Sequence, residues 1–134
     1  MPVSEMQEMP SNPVPEVVRA FIAEDNPQVR ASLRVFLELH LKLQVVGEAA
    51  EVQELVEAVA LSRPSLLLLA WELPDQDCRG LIRRIKSCCP GVKIVSLSSQ
   101  SGMEQAVLQA GADAFVYKGD PPECLIAALS EVIS

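Results

Sequence analysis

The chain has 134 residues, 49% of them apolar, and a formal net charge of −7. That length and hydrophobicity suit one compact domain with a core of its own and exclude a disordered chain. The acidic balance argues against a nucleic-acid face, because the one basic cluster, Arg83, Arg84 and Lys86, sits on a single predicted helix and reads as a solvated surface.

Residues 1–16 carry four prolines, three glutamates and no Lys or Arg, which predicts a flexible tail ahead of a folded domain over 17–134. The start of the chain has no basic region followed by an apolar core. No apolar run approaches the ~20 residues needed to span a bilayer. Cys78, Cys88, Cys89 and Cys124 form neither a Cys-x-x-Cys pair nor a Cys/His zinc pattern. Together these features predict a cytoplasmic protein with reduced thiols and no membrane contact, although adjacent Cys88 and Cys89 also suit oxidant sensing.

From residue 17 short apolar runs alternate five times with helical periodicity. Val17–Ala23 reads as the first strand, followed by Asn26 as an N-cap and Pro27 at the first helical position. Val29, Leu33, Phe36, Leu37 and His40 then share one helix face. Leu43–Gly47 is a second strand, and Val52, Leu55, Val56 and Val59 recur at helical spacing. Leu66–Ala70 is the third strand, with Leu81, Ile82 and Ile85 marking the next helix. Val92–Leu97 is the fourth, followed by a helix from about Gly102 to Ala110 that Gly111 stops. Ala114–Tyr117 is the fifth, after which Asp120-Pro-Pro-Glu123 supplies a cap, a proline at the first helical position and an acid in the first turn. Leu125, Ala128, Leu129 and Val132 give the last helix a buried stripe. Five βα units with no spare segment predict a parallel sheet covered by helices on both faces.

Ligands gather at the carboxyl ends of strands in such a sheet. The loop after the first strand brings Glu24 and Asp25 there. The third strand ends in Ala70 and runs into Trp71 and Glu72, the fourth ends at Ser98 and Ser99, and the fifth at Lys118. Paired acids, a hydroxyl and an amine would suit Mg²⁺-assisted phosphoryl transfer, with carboxylates on the cation and the lysine and hydroxyl on phosphate oxygens. Ala70 breaks that set, since a methyl group accepts no phosphoryl group and binds no metal. His40 reads as a helix-end residue, and Trp71 as either an ordinary rim aromatic or an anchor for a partner helix.

Four stretches in order, Ala23-Glu-Asp-Asn-Pro27, Val45-Val-Gly-Glu-Ala49, Leu66–Pro74 and Gly111-Ala-Asp-Ala-Phe-Val-Tyr-Lys118, resemble the receiver domain of bacterial two-component response regulators, especially receivers that precede LuxR-type DNA-binding domains. The resemblance covers residues 17–133 and implies a flavodoxin-like (βα)5 three-layer sandwich with strand order 2-1-3-4-5. It implies that Glu24 and Asp25 match the acidic pair that holds Mg²⁺, Ser98 the switch hydroxyl, Phe115 the switch aromatic and Lys118 the pocket lysine. Glu72 lies where the family offers a backbone carbonyl to the metal, and Ala70 where it has its phospho-accepting aspartate. Gly119 stands where many receivers have a proline.

Without a carboxylate at 70, phosphotransfer at the usual place should be abolished and Mg²⁺ binding by Glu24 and Asp25 weak, so no cofactor is expected. Lys118 becomes free to pair with Glu24 or Asp25. Ser98 is expected across the pocket with no neighbouring base, and the Glu72 side chain could reach back over the rim. What remains is surface. By resemblance, the face of the fourth helix, fifth strand and fifth helix forms dimers and meets partners, and here it offers Met103, Gln105, Val107 and Tyr117, with Val107 either on that face or buried. The expectation is a stand-alone, non-enzymatic pseudo-receiver. It would bind a sensor histidine kinase, another response regulator or an output protein, and would touch no nucleic acid directly. The alternative is an ordinary phosphorylation-switched receiver whose nucleophile has been replaced or which accepts phosphate elsewhere. A flavin-type cofactor binder is disfavoured because Glu24-Asp-Asn-Pro27 stands where a Gly-rich phosphate loop would be.

Overall fold

Each apolar run of the sequence is a strand, and each stretch of helical periodicity is the helix that follows it. The computed structural model describes residues 17–73 and 78–133, so the expected tail over 1–16 lies outside the described residues. The strands are β1 (Arg19–Ala23), β2 (Gln44–Ala49), β3 (Leu66–Ala70), β4 (Lys93–Ser98) and β5 (Ala114–Tyr117). The helices are α1 (Pro27–His40), α2 (Val52–Ser62), α3 (Cys78–Cys88), α4 (Glu104–Gln109) and α5 (Pro122–Ile133). All strand pairs are parallel, in the order β2-β1-β3-β4-β5, as expected for the flavodoxin-like arrangement.

Strand β3 fixes the centre of the sheet. Leu66 to Leu69 are each 0% exposed, because helices cover both faces and alternate residues point to opposite sides. Leu66 and Leu68 pack with Ala20, Ile22, Leu37, Leu125 and Leu129, whereas Leu67 and Leu69 pack with Phe21, Leu55, Val59, Ile82 and Ile85. The core is therefore split by the sheet, with α1 and α5 on one side and α2, α3 and α4 on the other. Burying four leucines is worth about 6–12 kcal/mol as an upper bound, comparable with the whole net stability of a small domain. Position 70, at the end of this strand, cannot drift.

Local chemistry sets the element ends. Asn26 caps α1 as expected, its side chain accepting from the backbone N–H of Gln28 (2.9 Å) and Val29 (3.2 Å), with Pro27 at the first position. Strand β2 runs two residues beyond the expected Gly47, because Glu48 and Ala49 continue the pairing with Ile22 and Ala23. The register slips between Ala20 and Phe21, next to Gly47, where a Cβ would come within 2.5 Å of the Phe21 ring. Gly47 therefore makes room for the largest side chain on β1. Gly111, at φ +113°, ends the turn after α4 as its sequence position implied.

One expectation at the element ends fails. Asp120 does not cap α5. The helix starts at Pro122, because a residue before proline is biased away from the helical region, and Pro121 is that residue. His40 is the last residue of α1, the helix-end position expected of it, and is exposed with its ring 4.7 Å from that of Phe36. Of the expected apolar face of α1, Leu37 alone is fully buried. Cys88, Cys89 and Cys124 are free thiols, with Cys89 buried and Cys88 half-buried.

Candidate functional site at the carboxyl edge of the sheet

The strand ends do converge on one edge, in two groups on either side of Ala70. The first joins β1 to β5. Glu24, one residue past β1, is 2% exposed and is held at its backbone by Ala49, whose carbonyl accepts its N–H at 2.9 Å. Its Oε1 accepts from Lys118 Nζ at 2.8 Å and its Oε2 from the backbone N–H of Asn26 at 3.1 Å. Lys118 is fixed in turn, because its backbone N–H donates to the Ser98 carbonyl at 2.8 Å. Arg30, on α1, donates to the Glu24 carbonyl at 2.7 Å and to Glu48 Oε1 at 3.2 Å, and Arg34 also bonds Glu48. A buried carboxylate is thus balanced by an ammonium group and a main-chain donor, as a buried charge requires.

The second group joins β3 to β4. Ala70 pairs with Leu97, so that two residues further on Glu72 comes alongside Ser99. The Glu72 carboxylate accepts from the Ser98 hydroxyl through Oε2, and from the Ser99 N–H (3.2 Å) and hydroxyl (3.4 Å) through Oε1. The Ser98 oxygen also accepts from the Gln100 N–H at 2.9 Å. Ser98 was expected to have no neighbouring base, and Glu72 was expected to offer its backbone carbonyl to a metal, with a side chain able to reach back over the rim. The structure corrects the first expectation, since the Glu72 side chain reaches back and is bonded to Ser98. The signal was present in the sequence: two serines ending one strand, and a glutamate two residues past the end of its neighbour.

Between the groups Ala70, 2% exposed, presents only a methyl group. Asp25 is exposed. Of the expected Mg²⁺ pair, Glu24 has each oxygen bonded to a protein donor, and the methyl group of Ala70 adds no further ligand. Among the described residues no three His, Cys, Asp or Glu side chains gather as a metal-ligand set.

The expected partner surface is only partly a surface. Val107 is 0% exposed and belongs to the core, because the single face that a six-residue helix turns to the sheet must carry its one large buried side chain. Gln105 is exposed, whereas Met103 and Phe115 are half-buried against the same core side. Trp71 also packs half-buried there. Tyr117 is half-buried and lies against Gly119, where a Cβ would come within 2.4 Å of its ring. Sequence reasoning missed a groove of about 430 Å³ between α1 and α5, lined by Val29, Leu33, Phe36, Val116, Tyr117 and Leu125, with Lys118 and Asp120 also on its wall. Its signal was an apolar face on α1 larger than the last helix could cover. No described helix is long and apolar enough to cross a membrane.

A family model described as the response regulator receiver domain matches residues 20–130. The chain is 33% identical over 111 residues to an uncharacterized transcriptional regulatory protein, YhcZ, of Bacillus subtilis, covering 81% of this chain and 52% of that one. It is 34% identical over 105 residues to the DNA-binding transcriptional activator DevR/DosR of Mycobacterium tuberculosis, covering 76% and 48% respectively. A solved LuxR-family two-component response regulator from Aurantimonas sp. superimposes with a TM-score of 0.80 at 24% identity, over 88% of this chain and 86% of that one. The chain spans about half the length of the two relatives it matches in sequence.

Proposed function

The chain belongs to the response regulator receiver family of two-component signalling, and on that premise we propose that it is a pseudo-receiver. In this reading Ala70 stands at the phospho-acceptor position, and the domain works by protein–protein contact without aspartyl phosphorylation or enzymatic activity of its own. The observation that carries it is the methyl group closing β3 between two carboxylates that are each already satisfied by protein donors. Attack on a phosphoryl donor needs a nucleophile held in line at that point. Glu24 is committed to Lys118 and Asn26, and Glu72 to Ser98 and Ser99.

Receivers of this family meet histidine kinases and output domains. For this chain the proposed partners are a sensor kinase, a second regulator or an output protein. Met103, Gln105 and Tyr117 contribute to the contact face, and a homodimer can form through α4, β5 and α5. The switch roles of Ser98, Phe115 and Lys118 are carried by resemblance, with Ser98 bonded to Glu72 and Lys118 to Glu24.

Intact mass after incubation with acetyl phosphate and Mg²⁺ tests the reading, with the Ala70→Asp variant alongside. The expected result is a phosphoryl mass on the variant alone. A phosphoryl mass on the unaltered chain would overturn the proposal and identify another acceptor.

A further inference from the structure

The groove between α1 and α5 takes its walls from Leu33 and Phe36 of α1, Leu125 of α5 and Tyr117 of β5. Leu33, Phe36 and Tyr117 are only half-buried, so the apolar lining still meets solvent. Three positions on from the lining residues Ser32 and Phe36, and so beside them on the helix, stand Val35, 56% exposed, and Leu39, 71% exposed. The charged residues Arg30 and Arg34 are drawn to the other flank of α1 by Glu48. Among the described residues nothing covers the apolar side of α1, and an exposed apolar patch of this kind marks an interaction surface.

The place where the chain enters the sheet points to the occupant. Val17 and Val18, with Val132 and Ile133 at the end of α5, line a second hollow of about 280 Å³. Val18 packs on the same side of the core as Leu33, Phe36 and Leu125. The polypeptide before Val17 therefore meets the fold at the far end of α5 from the groove. From Ile133 back to Pro122, which lines the groove, that helix is roughly 16 Å long. An extended chain at ~3.1 Å per residue covers the distance in about five residues. Residues 3–10 thus have the reach to lie along the groove.

Their sequence suits it. Val3, Met6 and Met9 recur at every third position, the period of a polyproline helix, which puts them on one edge and Glu5 and Glu8 on another. Pro2, Pro10, Pro13 and Pro15 favour that extended form. Three of the four methionines of the chain fall in residues 1–16, and methionine adapts to irregular apolar surfaces. Grooves lined by aromatic rings, as this one is by Phe36 and Tyr117, are the kind that accept such an edge.

We propose that residues 3–10 of the same chain occupy the groove in extended form, with Met6 and Met9 against Leu33, Phe36 and Tyr117. This face is then an interaction surface covered from within the chain, open to a partner only when the segment leaves. Residues 11–16 tether the segment at an effective concentration on the order of millimolar, so a weak contact is enough to keep the groove filled. The proposal goes beyond the pseudo-receiver reading and does not depend on position 70.

The test is NMR of the full chain labelled at the methyl groups of Met, Leu and Val. The unaltered chain is compared with a Met6→Ser, Met9→Ser double variant and with Ser32→Arg, which puts a long cationic side chain at an exposed position of the groove wall. The expected result is nuclear Overhauser contacts from the Met6 and Met9 methyls to Leu33 and Leu125 in the unaltered chain. The double variant should shift the amides of Leu33, Tyr117 and Leu125 and leave those of Leu67 and Ile94 in place, and Ser32→Arg should remove the methionine contacts. Methionine methyls at free-chain positions with no contacts overturn the proposal, as do groove amides that do not move in the double variant. Contacts that survive Ser32→Arg overturn it too, because the segment would then lie elsewhere. In a mixture of differently labelled chains, contacts seen only between chains would make a second copy the occupant and overturn it as well. The contacts in the unaltered chain decide the matter even if a variant folds poorly.

Discussion

The two halves of the carboxyl edge solve the same problem, a carboxylate near an apolar core, by different physics. Beside β1, Glu24 is almost wholly buried and is neutralised by a cation. Beside β4, Glu72 is half-buried and is held by hydroxyls and a backbone N–H. The difference follows from solvent. A carboxylate that keeps some water can be held by neutral donors, whereas one cut off from water needs a charged partner. The first half is therefore tuned for stability, and the second for the geometry of two loops.

The largest expected effect breaks the first half. Lys118→Met strands the Glu24 carboxylate with a single N–H donor and should cost about 3 kcal/mol, measured as a shift in the urea midpoint at constant slope. A change in the sheet beneath both halves sets the scale. Gly47→Ala drives a methyl group into the Phe21 ring and should cost about 2 kcal/mol by the same measurement, with the edge contacts left in place. Breaking the second half costs less. Ser98→Ala should lower stability by only about 1 kcal/mol, because Glu72 can turn to water, while amide exchange at Gln100 accelerates. The smallest effect sharpens the comparison most. In a double-mutant cycle of Lys118→Met and Ser98→Ala the coupling should stay below about 0.5 kcal/mol, because the halves share no side-chain bond. A larger coupling would make the edge one network instead of two.

The fold was legible because every strand and helix carries its own period, and because Asn26-Pro27 and Gly111 mark their boundaries by backbone chemistry. The ends that were misread have two different causes, one local and one not. Successive prolines push the start of α5 to Pro122, and the pairing of Glu48 and Ala49 with β1 lengthens β2. Such pairing is a tertiary fact with no local pattern. At the site, Glu24, Lys118, Ser98 and Ala70 were placed correctly on one edge, and the freedom of Lys118 to pair with Glu24 was foreseen. The Glu72–Ser98 bond was not, since its partners lie 26 residues apart and meet only through the β3–β4 register. Val107 was left open by a pattern too short to show which way a six-residue helix faces.

The Glu24–Lys118 bond joins residues 94 apart in the sequence, from the first strand to the last, across the ends of β3 and β4. It can close only after every intervening strand has taken its place, so it belongs to the final step of folding and not to the nucleus. Loosening it should leave the refolding rate nearly unchanged and hasten unfolding. The clasp at this edge therefore governs how long the finished domain lasts, and has little say in how fast it is made.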